Sequence, residues 1–130
     1  LLTGADCLLL KDPRRCFDGD IAVTLSDSFS DCKMNTGAIF VKNTEKAALV
    51  WQKALDLNPK DWGEDQIFLF KCIQESDLDV SYLECKLHNW APESLNDNAG
   101  FPTILHFRGR RKKYMKQWVE NHFISTNIGS

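Results

Sequence analysis

The stretch Ile104-Leu105-His106-Phe107-Arg108-Gly109-Arg110-Arg111-Lys112 constrains the fold of this chain more than any other. Two aliphatic residues lead into a histidine, a glycine follows three positions later, and a lysine three after that. Pro102 stands just upstream, and a helical pattern sets in from Arg110. The pattern predicts a short buried strand that ends at His106, turns on Gly109 and feeds a basic helix. An imidazole, backbone N–H groups, a helix N-terminus and a cation then fall close together. Glycine turns and helix N-termini bind phosphate, and lysine adds a point charge. A metal-bound diphosphate would suit such a site; the alternative is that His106 is a packed or hydrogen-bonded core histidine.

Composition narrows the partners. The 130 residues are enough for one domain, 1–130, with a core of its own. An apolar share of 43% and a charged share of 26% are ordinary for a globular chain. A net charge of −2 gives no reason to expect nucleic acid or an anionic membrane, and no apolar run is long enough to span a bilayer. The basic residues from Arg108 to Lys116 are a local cluster, which suits a small anion better than a long polyanion. Five cysteines, at positions 7, 16, 32, 72 and 85, are odd in number and lack C-x-x-C spacing. They argue against a disulfide framework or a zinc knuckle, and predict mostly buried free thiols in a reducing, cytoplasmic compartment.

In chain order, Leu1-Leu2-Thr3 reads as a buried strand, and Gly4-Ala5-Asp6 as a turn that presents an acid. Cys7 to Leu10 is a second extended run, closed by Lys11-Asp12-Pro13. An acid between two apolar runs either faces a cation or cleft or stabilises its turn. Ile21 to Leu25 and Ala38 to Val41 read as strands, the latter opened by Met34-Asn35-Thr36-Gly37. Asn43 or Thr44 caps a helix whose apolar face is Ala47, Ala48, Trp51, Ala54 and Leu55, and which stops before Asn58-Pro59. A second helix opens on Glu64, Asp65 and Gln66, acids that suit its dipole, and runs through the apolar stretch Ile67 to Phe70. Val80 to Leu83 is a further strand, and Glu93 to Gly100 a polar loop. The final helix carries Met115, Trp118, Val119, His122 and Phe123 on one face. Strands and helices interspersed in this way predict an α/β fold, a mixed sheet with flanking helices.

Three blocks, in order, resemble the C-terminal half of a GT-A-fold glycosyltransferase, nearest to the retaining enzymes of the glycosyltransferase family 8 type. Gly4-Ala5-Asp6-Cys7-Leu8-Leu9-Leu10-Lys11-Asp12-Pro13 is similar to the family's D-x-D stretch with its apolar run and closing Asp-Pro. Asn35-Thr36-Gly37-Ala38-Ile39-Phe40-Val41 is followed at the usual remove by Asp65-Gln66. His106-Phe107-x-Gly109-x-x-Lys112 matches H-F-x-G-x-x-K at every fixed position.

The resemblance implies a transferase that moves a sugar from a nucleotide-sugar donor to an unknown acceptor. Asp6 and His106 would bind a divalent metal, Mn²⁺ or else Mg²⁺; carboxylate with imidazole suits Mn²⁺ better than an all-oxygen Mg²⁺ site. Gly109 and Lys112 would contact the donor's diphosphate, Asn35 and Thr36 would line the sugar site, and Asp65 and Gln66 would hold the sugar for catalysis. Gly4 stands where the family has the first acid of D-x-D. The family's nucleotide-binding βαβ units precede D-x-D, so the resemblance implies a chain lacking those units, with an open sheet edge that predicts self-association. A non-catalytic carbohydrate or nucleotide-sugar binding module and a metal-dependent phosphohydrolase are the alternatives.

Overall fold

The computed structural model describes residues 2–3, 5–26, 33–61, 63–97, 100 and 102–124. Leu1, Gly4 and Cys32, named above, lie outside the described residues. The fold is mixed α/β. Strands β1 (Leu2–Thr3), β3 (Ile21–Leu25), β4 (Met34–Val41) and β5 (Val80–Glu84) form a sheet in the order β1-β4-β3-β5. β4 runs antiparallel to both its neighbours, whereas β3 and β5 are parallel. A second, two-stranded antiparallel sheet pairs β2 (Cys7–Leu9) with β6 (Ile104–His106).

Helices α1 (Glu45–Asp56) and α2 (Glu64–Gln74) cover one face of the larger sheet. Ile21, Val23, Met34 and Ile39 meet Val50, Ala54, Leu69, Cys72 and Ile73 there. Thr44 is the cap of α1, its Oγ1 accepting from the Ala47 N–H at 3.1 Å. Gly63, at φ +86°, turns the chain into α2, and Glu64 accepts from the N–H groups of Lys60 and Asp61. Those two donors hold the Glu64 carboxyl below its usual range. The opposite sheet face, with Ala22, Ala38 and Phe40, packs on Ile104 of β6 and on Phe17. Phe40 and Phe107 are fully buried, and burying an aromatic side chain of that size contributes roughly 1.5–3 kcal/mol.

Alternation along β6 then builds the far layer. Ile104 faces the larger sheet, while Leu105 and, past the strand, Phe107 face away and pack with Trp118 of α4 (Met115–Val119). His106 therefore points back towards β4. This two-residue period is what positions the site.

Several expectations need correction. On α1, Ala48 and Leu55 are exposed and Val50 takes their place in the core. Of the apolar run opening α2, only Leu69 is buried and Ile67 is 48% exposed. A short helix, α3 (Cys85–His88), follows β5 in a stretch to which the sequence assigns no element. The final helix is three pieces: a 3-10 segment Gly109–Tyr114, then α4, then a π-helical turn Glu120–Ile124. The basic segment therefore begins as a tight 3-10 turn. Of the four described cysteines only Cys72 is buried, and none of the four is in a disulfide. No helix among the described residues is long and apolar enough to cross a membrane.

Candidate metal centre

The β2–β6 register places Cys7 directly opposite His106. Residues opposite each other in an antiparallel pair project from the same face with Cβ atoms about 4.5–5.5 Å apart. The pairing continues one step beyond the strands, where the Phe107 N–H donates to the Asp6 carbonyl at 2.8 Å. Asp6 is thereby held beside the end of β6. Its Oδ1 lies 3.5 Å from His106 Nε2, and its Oδ2 lies 3.3 Å from Lys112 Nζ. One ligand atom from each of Asp6, Cys7 and His106 falls within 4.8 Å of the others.

His106 is only 8% exposed, and among the described residues its Nδ1 has no hydrogen-bond partner. A buried polar atom left in that state costs about 1–3 kcal/mol unless a ligand satisfies it. Burial pushes the His106 pKa down; Asp6 opposes that shift, while Arg108 and Lys112 add to it. The ring is therefore neutral near pH 7, which is the form that ligates metals. A carboxylate, a thiol and a neutral imidazole in one small volume form a donor set that fits a divalent cation.

Other residues singled out from the sequence fall around this cluster. Gly37 of β4 lies against the His106 ring, and its N–H donates to Asn35 Oδ1 at 2.8 Å. Thr36, between them, turns the other way. Its N–H and Oγ1 both donate to Gln66 Oε1 of α2, at 3.2 and 3.1 Å. Asp65 is exposed, with Oδ1 accepting from the Gln66 N–H at 2.8 Å. Asn35 thus belongs to the His106 side of β4, and Thr36, Asp65 and Gln66 to the side that α2 covers. Gly109 sits at φ +61° in open space, a left-handed turn that suits glycine. Lys112 is 63% exposed at its side chain and reaches back to Asp6. Arg111 is tied down instead, with Nε donating to the Pro92 carbonyl and a terminal nitrogen paired with Glu93.

Two features escaped the sequence reading. The cysteine pattern predicts mostly buried thiols and gives Cys7 no role, whereas alternation along β2 and the β2–β6 register bring this half-buried residue onto the His106 face. The Lys112–Asp6 pair was also missed, because the two lie at opposite ends of the chain. The position where the first D-x-D acid was expected, Gly4, lies outside the described residues. No protein-family model, curated protein or solved structure matches this chain.

Proposed function

We propose that this chain is the donor-binding part of a metal-assisted glycosyltransferase that uses a nucleotide-sugar donor, with a GT-A-like arrangement of its sheet. The observation that carries this reading is the meeting of Asp6, His106 and Lys112, brought within 3.5 Å of one another in successive pairs from two distant segments. A divalent cation held by Asp6 and His106 would polarise the donor's diphosphate and offset the charge growing on the leaving group. Lys112, free to exchange Asp6 for a phosphate oxygen, would neutralise part of the same charge. The open surroundings of Gly109 support close approach of a diphosphate to the backbone there. Gln66, anchored by Thr36, and Asp65 would orient the donor sugar from the α2 side of β4. No strong general base is required, because leaving-group stabilisation and positioning supply the rate.

One observation favours a second reading, a binding module without catalysis. Gln66 Oε1 already accepts from both donors of Thr36, and the Asp65 carboxylate accepts from its neighbour's N–H. Neither is poised towards His106. The deciding experiment is release of nucleoside diphosphate from nucleotide sugars, with and without added cation and candidate acceptors. Cation-dependent release supports the transferase; cation-dependent binding without release supports the binding module; neither would refute both.

A further inference from the structure

We infer that Cys7 is a third ligand of this centre, which makes it a site for zinc(II) or another borderline-soft divalent ion rather than for manganese or magnesium. The assignment rests on the cation-ligand roles proposed above for Asp6 and His106, and adds a thiolate to them. Cys7 and His106 are a direct cross-strand pair, so the backbone itself presents sulfur and nitrogen from one face. Asp6 adjoins Cys7 and is held by the Phe107 N–H.

The spacing is close to ligation. A tetrahedral site with zinc bond lengths has nitrogen–sulfur and oxygen–sulfur edges of roughly 3.5 Å. The separations here reach at most 4.8 Å, a difference that rotamer adjustment of the half-buried Asp6 and Cys7 side chains can close. The buried Nδ1 of His106 gives a second observation, since a ring nitrogen of a cluster residue has no hydrogen-bond partner among the described residues.

Donor chemistry then selects the ion. Magnesium and calcium prefer all-oxygen sites, whereas a thiolate beside an imidazole favours zinc. One carboxylate and one thiolate balance a divalent charge, and three protein ligands leave the fourth position open, as in catalytic zinc sites. On binding, the Cys7 S–H bond is broken, a metal–sulfur bond forms, and the proton leaves to solvent. The thiol's 3.3 Å hydrogen bond to the Gly37 carbonyl is given up in that step.

Tighter binding of zinc than of manganese would not by itself test this, because almost any nitrogen or oxygen site shows that order. The test is cobalt(II) titration of the metal-free chain, followed by absorbance and proton release, and repeated on Cys7→Ser and Cys16→Ser. A thiolate-to-cobalt charge-transfer band should develop to one equivalent, with one proton released, and zinc should displace it. Cys7→Ser should lose the band and bind zinc on the order of 100-fold more weakly, at least the upper cost of losing a supporting partner. Its manganese affinity should change little, and Cys16→Ser should behave as the parent. Cobalt bound without a thiolate band, or unchanged zinc affinity in Cys7→Ser, would overturn the role of Cys7 while leaving Asp6 and His106 as ligands. Absence of any cation binding by the parent chain would overturn both.

Discussion

Gly37 packs its bare α-carbon against the imidazole of His106, so that a methyl group there would overlap Cε1 and Nδ1 of the ring. The same glycine accepts the Cys7 thiol hydrogen bond through its carbonyl and donates to Asn35 through its N–H. Its smallness sets where the ring can sit. Gly37→Ala should therefore displace His106, destabilise the fold by about 1–3 kcal/mol through overpacking, and weaken cation binding. Urea denaturation and cation titration of the variant check both effects; an unchanged cation affinity would mean that the ring position does not matter to the site.

Lys112 Nζ lies 3.3 Å from Asp6 Oδ2. Lys112→Ala should leave stability within about 1 kcal/mol, as expected for an ion pair whose lysine is largely exposed. Removing a positive charge beside the ligand set should strengthen binding of a bare cation. Affinity for nucleoside diphosphate should fall about tenfold, or ~1.4 kcal/mol. Opposite signs for the two ligands, measured by calorimetry, are the expected signature; equal effects would exclude the exchange of Asp6 for phosphate.

Burial lowers the pKa of His88 as well as that of His106, with Lys11 adding to the shift at His88 and Glu84 opposing it. Above the ordinary value of 6.5 both folded and unfolded chains carry neutral rings. Below it the unfolded chain takes up protons that the folded chain resists, so the unfolded state binds more protons and stability falls with pH. The loss should begin as pH drops below about 6.5 and level off once the folded-state values are passed. Urea midpoints of the metal-free chain between about pH 7.5 and about pH 5 measure it, and His88→Gln should remove part of the slope. A flat profile would show that neither ring is held neutral by burial.

Gln66→Ala removes the acceptor shared by both Thr36 donors, and should cost about 1–3 kcal/mol of stability. If Gln66 also orients the donor sugar, turnover should fall on the order of 100-fold, the scale of misplaced reacting groups, with cation affinity unchanged. Thr36→Val, which removes only the hydroxyl, should reproduce part of the stability loss and little of the turnover loss.

Strand and helix identities were legible wherever period and punctuation agreed. The run ending at His106, the Thr44 cap and the stop of α1 before Asn58-Pro59 are all of that kind. Which apolar residues of a helix face the core was less legible. Four consecutive apolar residues opening α2 satisfy every helical phase, so periodicity could not reveal that Leu69 alone is buried and Ile67 exposed. The same ambiguity exchanged Val50 for Ala48 and Leu55 on α1. At the site, the meeting of Asp6 and His106 was expected from two strand ends together with the family resemblance, whereas Cys7 and Lys112 depend on strand register and on a turn's direction. Register is a long-range property set by packing, and no local pattern encodes it. The smallness of Gly37 had a local explanation as the opening of a strand, which hid its contact with a residue far along the chain.

The most direct test of a cation-bridged diphosphate site is calorimetric titration of nucleoside diphosphate into the chain, with a divalent cation present and after chelation. It should be repeated with Asp6→Asn and His106→Gln, each confirmed as folded by circular dichroism. The account predicts binding that requires the cation and is lost in both variants. Binding that survives chelation, or that both variants retain at full strength, would contradict it.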